Sequence, residues 1–221
     1  RGEKKHYLTL STLNIRGIKY KVRGIKRLLH KHKIDVLTLT ETQFPKGKKI
    51  KFKNYKTFWG YSDHPEPGVR AKGGVAIIIK NNKFEDTFES FKPKKTHKNI
   101  IWIRWTTKTQ DLYIAAVYST PGKPSEHTKL LDILEDNMKE IGKEANIILT
   151  GDLNSSLLEV GGKTNPYGDE LQRRIESNNL NLITPPPGSQ HFENYSWEMQ
   201  RKNKTQRSSP DHIITRPAAG T

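Results

Sequence analysis

The stretch Ile147-Ile148-Leu149-Thr150-Gly151-Asp152-Leu153-Asn154 decides how this chain folds. Its apolar first half, rich in β-branched residues, predicts a buried strand that ends at a glycine and two polar side chains, Asp152 and Asn154. Residues two apart on an extended chain point to the same side, so we expect this carboxylate and this amide to lie together beyond a core strand. A simple strand-ending turn is the alternative interpretation, because Gly, Asp and Asn all favour turns.

The charge of the chain indicates the kind of partner it binds. Its 221 residues include 39 Lys and Arg against 23 Asp and Glu, a formal net charge of +16. Such an excess attracts polyanions, and nucleic acid is the first candidate.

No linker rich in Pro, Gly or Ser divides the chain, so we expect residues 1–221 to form a single domain. No sequence pattern indicates an oligomer, and we expect a monomer.

Several protein classes are excluded by what the sequence lacks. The absence of Cys excludes disulfides, thiolate metal sites and a Cys nucleophile, and it favours an intracellular location, nuclear or cytoplasmic. There is no apolar run near the ~20 residues of a membrane span and no signal-peptide pattern, so we expect a soluble protein. The sequence has no H-x-x-x-H pair, G-x-S-x-G elbow or Walker loop, which argues against zinc hydrolases, serine hydrolases and P-loop proteins.

Strand-like and helix-like segments alternate along the chain. Strands are predicted at 7–13, 34–39, 73–79, 100–105, 111–118, 147–153, 180–183, 191–196 and 211–215, while 55–61 is an aromatic-rich stretch. Amphipathic patterns predict helices at 22–29, 125–141 and 167–178, the second with Ser125 as its N-cap. Strands with interleaved helices are typical of a layered α/β domain.

Polar side chains lie where these strands end or begin. They are Asn14, Glu41, Tyr118, Asp152 and Asn154 just past strands, and Asp211 at the start of another. In a sheet-based domain such ends can converge on one rim. The resulting pocket would be rich in oxygen donors, which suit Mg²⁺, with Mn²⁺ as an alternative. Mg²⁺ is commonly held by one or two carboxylates while a substrate phosphate completes its shell.

Five short segments carry a resemblance to a known family. They are Leu13-Asn14-Ile15-Arg16-Gly17, Leu39-Thr40-Glu41-Thr42, Val117-Tyr118, Gly151-Asp152-Leu153-Asn154 and Asp211-His212-Ile213-Ile214. In order and rough spacing they resemble the exonuclease III and apurinic endonuclease-like phosphodiesterase superfamily. Within it, the chain looks most like the endonuclease domain of a non-LTR retrotransposon. The reasons are the compact length before Asp211, the gap of 59 residues from Asp152 to Asp211, the many lysines, and Tyr195-Ser196-Trp197 before Asp211.

The resemblance implies a fold and an activity. The fold would be a DNase I-like, four-layered α/β sandwich, with two packed β-sheets flanked by helices. The activity would be Mg²⁺-dependent nicking of double-stranded DNA, which leaves a 3′ hydroxyl to prime reverse transcription. A reverse transcriptase domain in the same polyprotein would then be a partner.

The resemblance also implies roles for individual residues. Glu41 would hold the metal ion, with Asn14 close to it. Asp152 would orient or deprotonate the attacking water, and Asn154 would bond a phosphate oxygen. Tyr118 would support the phosphate or the nucleophile. The chemistry would be an in-line displacement with the metal neutralising charge on the phosphate.

The segment around Asp211 allows two interpretations. In the first, Asp211 orients a His supplied by the family's terminal Ser-Asp-His motif. We then expect residues 1–221 to lack that motif and the last strand. In the second, Ser209-Pro210-Asp211-His212 is itself the terminal motif and His212 is catalytic.

Two departures from the family pattern bear on function. Arg16 stands where repair enzymes commonly have Asp, and Ser119-Thr120-Pro121 replaces an Asn often found after the Tyr. Both argue against an apurinic-site repair endonuclease, which stays an alternative. Other proteins of this fold cleave inositol phosphates or sphingomyelin, whereas the basic charge favours a long polyanion. A non-catalytic nucleic-acid-binding module on a degenerate nuclease fold is a further alternative.

Basic clusters recur at 19–33, 46–56, 92–98 and 201–207. A single cluster often serves only solubility, but four clusters of one sign favour a binding face. Tyr195 and Trp197 could lie near a groove, although such aromatics often belong to a core. The candidate DNA-binding residues are therefore Lys19, Lys21, Arg23, Lys48, Arg201, Lys202, Lys204, Tyr195 and Trp197.

Overall fold

The computed structural model describes residues 8–48, 50–62, 71–81, 87–107, 110–157, 164–183, 197–201, 204–208 and 211–219. The helices within these residues are α1 (Val22–Lys31), α2 (Pro124–Ile141) and α3 (Pro166–Ser177). The strands are β1 (Leu10–Asn14), β2 (Val36–Thr40), β3 (Tyr55–Gly60), β4 (Val75–Lys80), β5 (Thr87–Phe91), β6 (Ile100–Thr106), β7 (Asp111–Tyr118), β8 (Asn146–Asp152), β9 (Asn181–Leu182), β10 (Trp197–Arg201), β11 (Lys204–Ser208) and β12 (Asp211–Arg216).

These strands form two mixed sheets and a separate ribbon. The small sheet has the order β1-β2-β4-β3, and the large sheet has the order β5-β6-β7-β8-β12-β9. In the small sheet β1 and β2 are parallel, and in the large sheet β7 and β8 are parallel, while every other pairing is antiparallel. The ribbon pairs β10 with β11 in antiparallel fashion.

An apolar core lies between the two sheets. Val36 and Ile77 of the small sheet belong to one buried cluster with Ile103 and Ile114 of the large sheet. A strand that is covered on both faces is buried along its whole length, instead of alternating between buried and exposed residues. All five residues of β2 are accordingly buried. The two sheets therefore pack face to face.

Helices cover the outer face of each sheet. Ile25 of α1 packs into a cluster with Leu39 of the small sheet. On the other side, Leu134 of α2 and Leu171 of α3 pack into a cluster with Leu149 of the large sheet. The order helix, sheet, sheet, helices confirms the expected four-layered α/β sandwich.

Most of the expected elements are present, with bounds shifted by a few residues. The expected N-cap Ser125 was wrong, because α2 begins at Pro124 and its N-cap residue is Lys123. The sequence did not predict β3, β5 or the β10–β11 ribbon. Tyr7 and the strand expected at 191–196 lie outside the described residues. Among the helices described, none is long and apolar enough to cross a membrane.

Candidate active site

The strand directions bring the polar strand ends to one edge of the sandwich. In the small sheet, the parallel strands β1 and β2 finish together, with Asn14 last in β1 and Glu41 directly after β2. In the large sheet, Tyr118 and Asp152 are register partners at the ends of the parallel strands β7 and β8. Because β12 is antiparallel to β8, its first residue Asp211 is also paired with Asp152.

Hydrogen bonds between side chains join the two sheets at this edge. The Nδ2 amide of Asn14 donates to Glu41 Oε1 at 2.8 Å and to Asp152 Oδ2 at 2.6 Å. The Tyr118 hydroxyl donates to the same Glu41 Oε1 at 3.2 Å. Four of the residues expected from the sequence therefore form one connected group.

The backbone at Glu41 is held in an unusual conformation. Its φ is 50°, a left-handed value that non-glycine residues rarely adopt and that tends to occur at functional sites. The next residue, Thr42, donates its N–H to Gly74 O at 3.0 Å. A Cβ on Gly74 would lie 2.6 Å from Thr42 Oγ1, so this position requires glycine. The second glycine of Gly73-Gly74 thus allows the close approach that fixes the segment carrying Glu41.

Asn154 reaches the site by a different geometry from the one expected. Strand β8 ends at Asp152, and the φ of Asn154 is 50°, so the same-side rule for an extended chain does not apply to this pair. Instead, Asp152 Oδ1 accepts a hydrogen bond from the Asn154 N–H at 3.0 Å. The Asn154 side chain donates to the carbonyl of Ser119 at 2.7 Å. Asn165, the N-cap of α3, then donates to the carbonyl of Asn154 at 3.0 Å.

A buried polar group supports this loop, and the sequence did not reveal it. Ser119 Oγ lies 2.8 Å from His127 Nδ1, and the His127 imidazole, 2 % exposed, stacks on Tyr167 with ring centroids 4.4 Å apart. Ser119 N–H also donates to the carbonyl of Asp152 at 2.9 Å. The sequence does carry one signal for this residue, because the spacing of His127 matches that of the apolar residues on the buried face of α2.

Burial and negative charge raise the pKa of Asp152 to about 7. The largest cause is the burial of this side chain, which is 4 % exposed, and the second is the negative charge of Asp211. Glu41 adds to the effect, while the hydrogen bonds from Asn14 and from the Asn154 N–H oppose it. Asp152 is therefore a carboxyl group that can exchange a proton near neutral pH.

The pKa of Tyr118 is raised far above its usual value. Burial is the main cause, followed by the negative charges of Glu41 and Asp152, whereas Arg16 opposes the rise. The phenol therefore stays protonated at physiological pH and acts as a hydrogen-bond donor to Glu41.

The donor set at this edge suits a hard cation. Glu41 and Asp152 are both carboxylates bonded to one neutral amide, and Asp211 adds a third negative charge to their surroundings. Both hydrogen bonds to Glu41 fall on Oε1. Among the described residues there is no cluster of three or more His, Cys, Asp or Glu side chains with metal-site geometry. A metal here would therefore take few protein ligands, as Mg²⁺ often does.

His212 does not join this group. It follows Asp211 in β12 and is paired with Gly151, one register position further along the ladder. Its imidazole is 3 % exposed, and Nε2 lies 2.7 Å from the carbonyl of Ser155. Burial lowers its pKa. The structure therefore places His212 in the core, which argues against the interpretation of His212 as the catalytic histidine.

The candidate DNA-binding residues lie in two regions. Lys19, Lys21 and Arg23 are exposed at the beginning of α1, and Lys48 is exposed in the loop between β2 and β3. The turn before α1 is attached to the site, because the N–H of Gly17 donates to Glu41 O at 2.7 Å. The first three candidates therefore lie close to the polar edge.

Three of the remaining candidates, Trp197, Arg201 and Lys204, belong to the strands of the ribbon. Trp197 begins β10, and Arg201 is the register partner of Lys204 where β10 and β11 meet. Tyr195 and Lys202 lie outside the described residues.

Comparisons with known proteins identify the family of this chain. The model of the endonuclease/exonuclease/phosphatase family matches residues 11–220. A probable RNA-directed DNA polymerase from transposon BS of Drosophila melanogaster is 26 % identical over 125 residues, covering 55 % of this chain and 13 % of that protein. The corresponding protein from the transposon X-element of the same fly is 26 % identical over 177 residues, covering 80 % of this chain and 18 % of that protein. The chain thus spans less than a fifth of these curated relatives.

Among solved structures, the endonuclease domain of TRAS1, a telomere-specific non-LTR retrotransposon, has the same fold. It superposes with a TM-score of 0.68 at 16 % identity, covering 92 % of this chain and 82 % of that one. The resemblance inferred from the five sequence segments is confirmed, and the family match extends over nearly the whole chain. The chain belongs to the endonuclease/exonuclease/phosphatase family.

Proposed function

We propose that this chain is a Mg²⁺-dependent endonuclease that nicks double-stranded DNA and leaves a 3′ hydroxyl for priming reverse transcription. The observation that carries the proposal is the bridge by Asn14, whose single amide holds Glu41 and Asp152 together across the two sheets. A metal-binding carboxylate and a proton-accepting carboxylate must lie this close together to act on one phosphate.

Asp152 is the candidate that orients and deprotonates the attacking water. Its pKa of about 7 lets it accept a proton at near-neutral pH, where a general base is most effective. Its position is fixed at both oxygens, by the Asn14 amide on Oδ2 and the Asn154 N–H on Oδ1. Asn154 would bond a phosphate oxygen, and its side chain is held in place by Ser119 O.

Glu41 and Asn14 are the candidates that hold the metal ion. Nucleases of this family generally depend on a divalent metal, and the hard oxygen donors and excess negative charge of this edge fit Mg²⁺. When bound, the ion would neutralise charge on the phosphate. Tyr118, protonated and donating to Glu41, would fix the orientation of that carboxylate. Asp211 would hold a histidine partner in position, as in the family's Ser-Asp-His motif.

The distribution of charge supports DNA as the polyanion. Residues 19–33 contain seven Lys and Arg and no Asp or Glu. No ion pair joins any of these seven to a carboxylate within the part of the chain that the structure describes. By contrast, Lys139 of α2 and Arg173 and Arg174 of α3 each pair with a carboxylate. Positive charge therefore remains uncompensated along α1, which begins beside the candidate site, and a phosphate backbone would neutralise it.

The β10–β11 ribbon and the fly relatives support two further parts of the proposal, a second contact with DNA and a neighbouring reverse transcriptase domain. A two-stranded β-ribbon can enter the major groove, so the β10–β11 ribbon with Arg201 and Lys204 is a second candidate contact with DNA. Because the two fly relatives are described as probable RNA-directed DNA polymerases, we propose that this domain acts beside a reverse transcriptase domain.

Nicking of supercoiled plasmid tests the proposal. The wild-type chain should convert plasmid to the relaxed form with Mg²⁺ and not with EDTA. Asp152→Ala and Glu41→Ala should abolish nicking but still bind DNA, whereas Asp136→Ala, a carboxylate on α2 away from the site, should nick normally. DNA binding by all four proteins without nicking by any would instead indicate a non-catalytic nucleic-acid-binding module.

A further inference from the structure

Tyr20 is the most exposed of the large hydrophobic side chains in the part of the chain that the structure describes. It is 85 % exposed, while the next, Ile183, is 51 % exposed. Tyrosine side chains are usually at least half covered, because the ring gains from burial. The ring of Tyr20 therefore contributes nothing to the core, and its position in the turn before α1 needs another explanation.

This turn is firmly attached on both sides of Tyr20. Ile18 is buried, and its N–H donates to Thr42 O at 2.9 Å, directly beside Glu41. After Tyr20, the N–H of Lys21 donates to Ile18 O at 2.9 Å, and its ammonium donates to the carbonyl of Ile15. Two residues span at most about 7 Å of chain, so Tyr20 lies within that reach of Ile18. A fixed turn thus presents an aromatic ring next to the candidate active site.

The surroundings of the ring are basic. Lys19 Nζ lies 5.1 Å from the centroid of the Tyr20 ring, and Lys21 and Arg23 are exposed nearby. An exposed aromatic face among positive charges is the combination that proteins use to bind unstacked bases, with the ring stacking on the base and the cations contacting phosphates. The side chains that insert into an intact duplex are more often wholly apolar. Tyr20, which carries a hydroxyl group, fits an unpaired base better.

We propose that Tyr20 stacks on an unpaired base beside the cleaved phosphate, so that the preferred substrate is duplex DNA with an unpaired or easily unstacked base at that position. The proposal rests on the proposed function, which places DNA at this edge. It adds a substrate class to that function, because a base that is already extrahelical binds without the cost of unstacking.

Equilibrium binding in EDTA tests this without cleavage. Two duplexes of the same sequence would be compared by fluorescence anisotropy, one fully paired and one with a single bulged 2-aminopurine. The wild-type chain should bind the bulged duplex more tightly and quench its 2-aminopurine. Tyr20→Ala should weaken binding of the bulged duplex by roughly 5- to 100-fold and of the paired duplex by much less. Tyr20→Phe should behave as wild type, because the ring is kept.

Ile183→Ala is the matched control, since it removes exposed apolar surface without an aromatic ring. Equal binding of both duplexes by wild type, or equal losses on both in Tyr20→Ala, would overturn the role of Tyr20 while leaving the endonuclease proposal intact. A wild-type chain that binds neither duplex but is folded would overturn the proposed function, and the role of Tyr20 with it. Because Tyr20 is exposed, its variants should melt at the wild-type temperature.

Discussion

Asn14 in the small sheet donates its side-chain amide to the buried carboxylate of Asp152 in the large sheet at 2.6 Å, across 138 positions of sequence. The same amide contacts Glu41 at 2.8 Å. A single neutral donor therefore stands between two carboxylates, and it compensates part of the cost of burying Asp152.

Replacing Asn14 by Ala should weaken both the fold and the reaction. Asp152 would lose a hydrogen bond while staying buried, which should lower the free energy of unfolding by about 1–3 kcal/mol. Urea denaturation measures the loss, and plasmid nicking should fall in the same variant. The control is Asn81→Ala, an exposed asparagine after β4, which should unfold like wild type. Equal stability of the two variants would contradict the bridging role of Asn14.

The raised pKa of Asp152 predicts how stability depends on pH without metal. The pKa rises from 3.8 to about 7 on folding, so between these values the folded chain holds a proton that the unfolded chain has released. This contribution to stability is complete below about pH 4 and is lost as pH rises past about 7. The free energy of unfolding, measured in EDTA across this range, should therefore contain a falling component.

Asp152→Asn isolates that component, because the amide cannot titrate. Its unfolding free energy should lack the decrease between pH 4 and 7 that wild type shows. Added Mg²⁺ should reduce the same decrease in wild type, since a nearby cation favours the ionised carboxylate. Parallel pH profiles for wild type and Asp152→Asn would show that Asp152 titrates normally.

Two glycines should respond to alanine in opposite directions. Gly151 has a φ of 142°, and a Cβ there would lie 2.0 Å from the carbonyl oxygen of Val117. Gly151→Ala should therefore lower the free energy of unfolding by at least about 2–3 kcal/mol, by displacing β7 from β8. Gly24, within α1, has open space around it, and Gly24→Ala should stabilise by about 0.5–1 kcal/mol. Thermal unfolding of both variants checks the contrast.

His127 should affect the reaction beyond its effect on stability. His127→Ala removes the partner of Ser119, whose carbonyl holds Asn154, so nicking should fall more than the loss of folded protein explains. Leu134→Ala removes a buried side chain from the same helix, in the cluster that packs on the large sheet. Both should cost about 2–4 kcal/mol of stability. If nicking by the two variants is equal well below their melting temperatures, His127 has only a structural role.

Sequence patterns predicted which polar side chains come together at this edge, because strand ends carry their own signal. Asn14, Glu41, Tyr118 and Asp152 each follow an apolar run, and the parallel pairs β1–β2 and β7–β8 bring such ends to one edge. Polar residues after a buried strand are visible without knowing the fold. Their hydrogen-bonded contact across two sheets is not, because it depends on how the sheets pack.

Other features gave local patterns that the sequence alone could not interpret. His127 lies among apolar residues of α2, where a buried histidine cannot be distinguished from an exposed one until its neighbour Tyr167 is known. Tyr20 lies between two lysines, and its exposure depends on a turn fixed by hydrogen bonds to the segment after β2. Strand β5 alternates weakly, with only Phe88 buried, so it gave little periodicity to detect.

The unpaired charges of α1 should set the salt dependence of DNA binding. In the triple variant Lys26→Gln, Arg27→Gln and Lys31→Gln, three exposed cations without carboxylate partners among the described residues are removed. The slope of log K against log salt should become shallower by up to about 0.9 for each phosphate that the variant no longer neutralises. Binding of a short duplex, titrated from low to high salt by anisotropy, measures this slope.

A second triple variant separates local binding of phosphates from overall charge. Lys95→Gln, Lys139→Gln and Arg173→Gln remove the same three charges, but each of these side chains pairs with a carboxylate. Its salt slope should change less than that of the first variant, because those cations already face carboxylates of α2 and α3, Asp136 for both lysines and Glu170 for Arg173. Equal changes of slope in both triple variants would mean that only the net charge attracts DNA, and that α1 itself binds no phosphate.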